Sequence, residues 1–129
     1  MILLDTHVLL WMGFASERLS RPAAEAIAAA RVGGGVGIAA ITLWEIAWLV
    51  SRGRISLNEP TRVWLAGVPQ RASVQALTAA VALAAAELGA EFPNDACDRL
   101  IAGTALALGA PLVTSDIAIR RSRRLTTIW

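Results

Sequence analysis

Four of the chain's ten acidic residues, Asp5, Glu45, Asp98 and Asp116, stand where a short apolar run gives way to a helix start. In a sheet covered by helices such positions gather at one edge, in the crevice where ligands of these folds bind. Taken singly, each acid has a capping explanation. Asp5 and Asp116 are N-cap residue types, and Glu45 follows Thr42, and Asp98 follows Asp95, at capping-box spacing. Taken together they ask for more. Carboxylates flanked by leucine, tryptophan and isoleucine carry a desolvation penalty unless a positive charge joins them, and they raise one another's pKa values in an empty pocket. Helix dipoles offset only about 1 kcal/mol each, so a divalent cation is expected. Oxygen ligands with no histidine or cysteine among them favour Mg²⁺ or Mn²⁺ over Zn²⁺. Carboxylate-held cations of this kind usually act on phosphate esters. Thr114 and Ser115, just before Asp116, can add a hydroxyl that orients a carboxylate or a water.

Other reactive residue types have plainer readings. His7, the single histidine, is expected on the surface of the first helix or at the pocket rim. Cys97, the single cysteine, has no CxxC partner and reads as a helix-packing residue. Trp11, Trp44, Trp48 and Trp64 fall in helical patterns, where core or interface packing is expected over base stacking. The run Gly33–Gly37 lacks the lysine of a phosphate loop and precedes a strand, which excludes that motif. All basic side chains are arginine, and Arg120, Arg121, Arg123 and Arg124 cluster near the end, either as a solvated helix face or as phosphate contacts.

The elements that must position these groups alternate throughout. Ile2–Leu4, Val36–Ala40, Ala72–Leu77, Leu112–Thr114 and Leu125–Ile128 read as strands. Helices are expected over residues 6–12, from Ser20 to Arg31, from a Thr42 cap to Arg52, over 60–66 and 78–87, from Asp95 to Gly109, and over 116–121. The alternation predicts an α/β chain with a mainly parallel central sheet and helices on both faces.

The 129 residues fit one domain with a real core. The composition is 56% hydrophobic, an excess that predicts apolar surface covered by a second chain. No apolar stretch approaches the roughly 20 residues a bilayer requires. The first residues lack a basic n-region and a cleavage site, and a lone cysteine allows no internal disulfide, so a cytoplasmic location is expected.

Four blocks carry a resemblance: Leu4-Asp5-Thr6-His7, Thr42-Leu43-Trp44-Glu45-Ile46, Asp95 through Ala102, and Leu112-Val113-Thr114-Ser115-Asp116. In this order they resemble the PIN domain of VapC-type toxins over nearly the whole chain. The resemblance implies a single PIN domain over residues 1–129, a Rossmann-like α/β/α sandwich, and Mg²⁺- or Mn²⁺-dependent endoribonuclease activity that leaves a 3′-hydroxyl and a 5′-phosphate on RNA, transfer RNA among the expected substrates. It implies that Asp5, Asp98 and Asp116 hold the metal while Glu45 completes the site or positions the attacking water. Asp95, Thr6, Thr114 and Arg99 match supporting positions near the pocket. Ala96 departs from the family, which often has proline there, and removes no ligand. A homodimer and a cognate VapB-type antitoxin, joined in a heterotetramer or larger assembly, are the implied partners.

Two other readings are weaker. A haloacid-dehalogenase-like phosphatase also opens with an aspartate after its first strand, but needs a second acid where this chain has His7, and the usual lysine is missing. A PIN-like domain that binds RNA or a partner without cutting is disfavoured by the complete acidic quartet.

Overall fold

The central strand is the first one. In the computed structural model, which describes residues 1–129, β1 (Ile2–Leu4) lies between β2 (Val36–Ala39) and β4 (Leu112–Val113). β3 (Ser73–Gln75) and β5 (Thr127–Ile128) form the edges, giving the order β3-β2-β1-β4-β5 with every pair parallel. The chain builds one half outward from β1 to β3, then returns past β1 to build the other half. This leaves a topological switch point between β1 and β4, where the loops leaving two adjacent strands diverge and open a crevice. Asp5 follows one of those strands and Thr114 the other.

Both faces of the sheet are covered, and the inner strands β1, β2 and β4 read accordingly as short apolar runs. Leu4, Val36, Ile38 and Val113 point to one side, where they meet α1 (Thr6–Phe14), α2 (Arg21–Val32), α3 (Ile41–Ser51) and α4 (Thr61–Ala66) around Val8, Ile27, Ile46 and Trp64. Leu3, Ala39 and Leu112 point to the other, packing on α6 (Ala96–Leu108), α7 (Ile117–Arg120) and the residues Leu88 and Phe92 that follow α5 (Ala79–Ala86). The period-2 alternation of Leu3 with Leu4, and of Leu112 with Val113, splits one sheet between two cores. This is the expected three-layer sandwich.

The expected elements all form, with shorter edges. β3 and β5 span fewer residues than the apolar runs around them because each has a ladder on one side only. One start is wrong: Thr42 does not cap α3. The helix begins at Ile41 with no side-chain cap, and the Thr42 hydroxyl is buried against that of Thr6, 3.2 Å away. The arginine cluster is also not a helix face, since α7 ends at Arg120 and the residues after it form turns. No helix is long and apolar enough to cross a membrane.

Candidate active site

Three of the predicted site residues are fixed by one hydroxyl. Asp5 caps α1, its Oδ1 accepting from the Thr6 backbone N–H at 2.7 Å. Its Oδ2 accepts from the Thr114 hydroxyl at 2.6 Å. The same Thr114 oxygen accepts from the Asp116 backbone N–H at 3.1 Å. Asp116 in turn caps α7, Oδ1 accepting from the N–H groups of Ala118 and Ile119. The caps foreseen for Asp5 and Asp116 therefore form, and neither exhausts its carboxylate, which offers about four acceptor sites.

Glu45 and Asp98 arrive from the helices. Glu45, one turn into α3, receives no backbone hydrogen bond and so is not held in a capping box with Thr42. Asp98 lies in the first turn of α6, whose N-cap Asp95 accepts from the Asp98 backbone N–H at 3.0 Å. The Asp98 carboxyl is pushed up to about 7, by burial first and then by the charges of Asp95, Asp5, Asp116 and Glu45. Burial likewise raises Asp5, and Thr114, Thr6 and His7 work against the shift. Glu45 is raised by burial and by Asp5 and Asp95, with Thr6 and His7 opposing. The four acids of the sequence reading therefore feel one another. No arginine answers them; the one ion pair in the molecule joins Arg21 to Glu25 at 2.8 Å on the surface.

Cys97 corrects the expected donor set. Glu45, Asp95 and Cys97 have their ligand atoms all within 4.8 Å of one another, so a cysteine does stand beside the carboxylates, and Asp95 is nearer the acids than a supporting position implies. α6 packs on α3, and the first turn after the Asp95 cap brings Cys97 beside Glu45. Its thiol is pushed up to about 12 by burial and then by Glu45 and Asp95. The donor atoms gathered there are thus two carboxylates and one thiol.

Arg99 stands apart from this group. Its guanidinium donates to the carbonyl oxygens of Ala85 at 3.5 Å, Gly89 at 2.8 Å and Phe92 at 3.2 Å, bracing the turn between α5 and α6. His7 is exposed at the rim, as expected, its ring 6.0 Å from that of Trp11. The tryptophans divide: Trp64 is buried in the core, whereas Trp44 and Trp48 are exposed beside Glu45. Core or interface packing is expected of all four, and for Trp44 and Trp48 the structure excludes the core.

The donor chemistry fits a divalent cation. Several carboxylates, partly desolvated and mutually repelling, lie without an ion-pair partner, and an ion of charge two would oppose each of the upward shifts. Of the acids, Glu45 and Asp95 bring carboxylate oxygens within 4.8 Å of one another; Asp5, Asp98 and Asp116 are the residues the family resemblance assigns to such an ion.

Comparison with known proteins agrees with this architecture. The family model of the PIN domain matches residues 2–125. Ribonuclease VapC22 of Mycobacterium tuberculosis is 38% identical over 130 residues, covering 99% of this chain and 98% of that protein. The chain belongs to the PIN-domain family and, within it, to the VapC family. The fold is shared with VapBC2 from Rickettsia felis bound to a DNA fragment from its promoter, at 22% identity and a TM-score of 0.75 over 98% of this chain and 97% of that one. It is shared also with DNA-bound VapBC from Salmonella typhimurium, at 23% identity and a TM-score of 0.69 over the same shares of the two chains.

Proposed function

We propose that this protein is the toxin of a type II toxin–antitoxin pair, an endoribonuclease dependent on Mg²⁺ or Mn²⁺ and restrained by a VapB-type antitoxin. The observation that carries the reading is the raised pKa of Asp5, Glu45 and Asp98 beside the sheet's switch point, with Asp98 pushed up to about 7 by burial first and then by Asp95, Asp5, Asp116 and Glu45. The VapC22 ribonuclease supports it by near full-length similarity.

In this reading Asp5, Asp98 and Asp116 hold the cation. When bound, it neutralises phosphate charge and acidifies a water. Thr114 fixes the rotamer of Asp5 and the backbone of Asp116 at once. Glu45, free of backbone donors, accepts a proton from the attacking water and orients it toward phosphorus. Attack in line with the 3′-oxygen gives a 5′-phosphate and a 3′-hydroxyl, with transfer RNA among the expected substrates. The exposed Arg120, Arg121, Arg123 and Arg124 lie free of acidic partners and are suited to phosphate contacts. Exposed Leu77, Leu83 and Leu108 leave apolar surface near α5 and α6 for a homodimer or the antitoxin. We place the active protein in the cytoplasm, where RNA and antitoxin are both met, as a single domain.

The test uses chain purified free of antitoxin. RNA is cut when Mg²⁺ is present, cutting stops with EDTA, and Asp5→Ala abolishes it while the far-UV spectrum is retained. Normal cutting by Asp5→Ala overturns the site assignment. Binding without cutting, by wild type and variant alike, returns the chain to a non-catalytic role.

A further inference from the structure

Two tryptophans on α3 escape the packing that helical spacing assigns to them. Trp44 and Trp48 are 52% and 42% exposed. Their rings stack with centroids 5.4 Å apart and planes inclined by 16°, and the Arg52 guanidinium lies 4.1 Å from the Trp48 centroid. Residues 44, 48 and 52 are each four apart, so the three groups form a ladder along one helix face. The outer face of Trp44 carries neither a ring nor a guanidinium.

The ladder connects two hollows. One, of 280 Å³, is lined by Trp44, Trp48, Glu45, Asp95 and Cys97 and so reaches two of the acids. The other, of 450 Å³, is lined by Trp48, Leu49, Arg52 and Arg54. Trp48 and Leu49 border both, so the surface runs without a break from Glu45 to two guanidiniums. Neither arginine has an acidic partner. A polyanion entering an acidic site is repelled there and needs compensating cations outside it; this surface supplies them at Arg52, two helical turns from Glu45, and at Arg54 just past the helix end. The aromatic faces between them offer a sequence-tolerant stacking surface.

We propose that Trp44, Trp48, Arg52 and Arg54 form the track by which an unpaired stretch of RNA enters the acidic centre. A base stacks on the open face of Trp44, and Arg52 and Arg54 hold phosphates further along the strand. The proposal rests on the ribonuclease reading and specifies its substrate as single-stranded or looped at the cut. Bases within a duplex are stacked on one another and have no face to give.

The experiment measures binding in the full chain made inactive by Asp116→Asn, using a short labelled oligoribonucleotide, single-stranded or annealed to its complement. Trp44→Leu weakens single-strand affinity by roughly tenfold, Trp44→Phe regains most of it, and duplex affinity is unmoved by either. Arg52→Ala and Arg54→Ala each flatten the dependence of log affinity on log salt by about 0.7. All four side chains are exposed, and thermal melts verify that the variants stay folded. If Trp44→Leu and Arg52→Ala bind as the parent does while the Asp116 enzyme still cuts RNA, the track is refuted and the ribonuclease stands. If the Asp116 enzyme cuts no RNA with Mg²⁺, both readings fall. A loss that phenylalanine does not regain, or a change in sedimentation without a change in RNA affinity, assigns the face to a protein partner and overturns the proposal.

Discussion

The Thr114 hydroxyl donates to Asp5 Oδ2 at 2.6 Å across 109 residues of sequence, and both groups are buried. This bond closes the switch point between β1 and β4, because the same oxygen also receives the Asp116 N–H. Thr114→Val keeps the shape and removes the hydroxyl. It leaves a buried carboxylate oxygen and a backbone N–H without their partner, which costs about 1–3 kcal/mol. Urea denaturation measures that loss, and Thr114→Ser should recover most of it. Cation affinity by calorimetry should fall in the valine variant and shift to higher pH, because the hydrogen bond now lowers the Asp5 pKa. Unchanged affinity would separate Thr114 from the site.

Asp98 makes the stability of the metal-free protein depend on pH. Its pKa rises from 3.8 in the unfolded reference to about 7 in the folded chain. Between those values the native state binds the extra proton, so stability falls as pH increases. Melts in EDTA should move to lower temperature from pH 5 to pH 8. Mg²⁺ should do the opposite and stabilise most at the higher pH, where the carboxylates are ionised for binding. Asp98→Asn should make the EDTA profile shallower, Asp5 and Glu45 keeping a dependence of the same sign, and an unaltered slope in that variant would exclude Asp98 as a source.

Much of this arrangement was legible because it rests on local rules. Asp5, Asp95 and Asp116 are caps by type and position, and the caps set where α1, α6 and α7 begin. Apolar runs at Ile2–Leu4 and Val36–Ala40 located two inner strands, since buried parallel strands need no polar face. What escaped depends on contacts between distant segments. Thr42 has the type and spacing of a cap, but a buried hydroxyl on Thr6 takes its side chain. Cys97 meets Glu45 only because α6 crosses α3. The exposure of Trp44 and Trp48 was hidden because α3 is apolar on nearly every face, so periodicity cannot say which side turns to solvent.

The crossing of α5 over α6 depends on a missing side chain. A Cβ at Gly103 would lie 2.8 Å from Ala85 Cβ, Ala85 N and Val81 O, two of them backbone atoms that cannot swing aside. Gly103→Ala gains helix propensity of about 1 kcal/mol but must separate two helices packed at backbone distance, and overpacking of this kind costs about 1–3 kcal/mol. We expect net destabilisation in urea. Because α6 carries Asp98, cation affinity should fall with it; a stabilised variant would show that the crossing yields freely.

Arg99 offers a direct contrast between a role in the pocket and a role in the scaffold. Its neighbours are carbonyl oxygens of Ala85, Gly89 and Phe92, all on the segment that leads to the Asp95 cap. Its Nε is buried without a partner, so the guanidinium stays there on the strength of the other donors. Lysine has the charge but not the planar fork, and cannot span three separated acceptors. Arg99→Lys should therefore speed hydrogen exchange over residues 87–94 and lower stability by about 1–3 kcal/mol. The salt dependence of RNA binding should be unaltered, since a side chain committed to carbonyls does not neutralise a phosphate. A reduced salt slope with normal exchange would move Arg99 from the scaffold to the RNA contact surface.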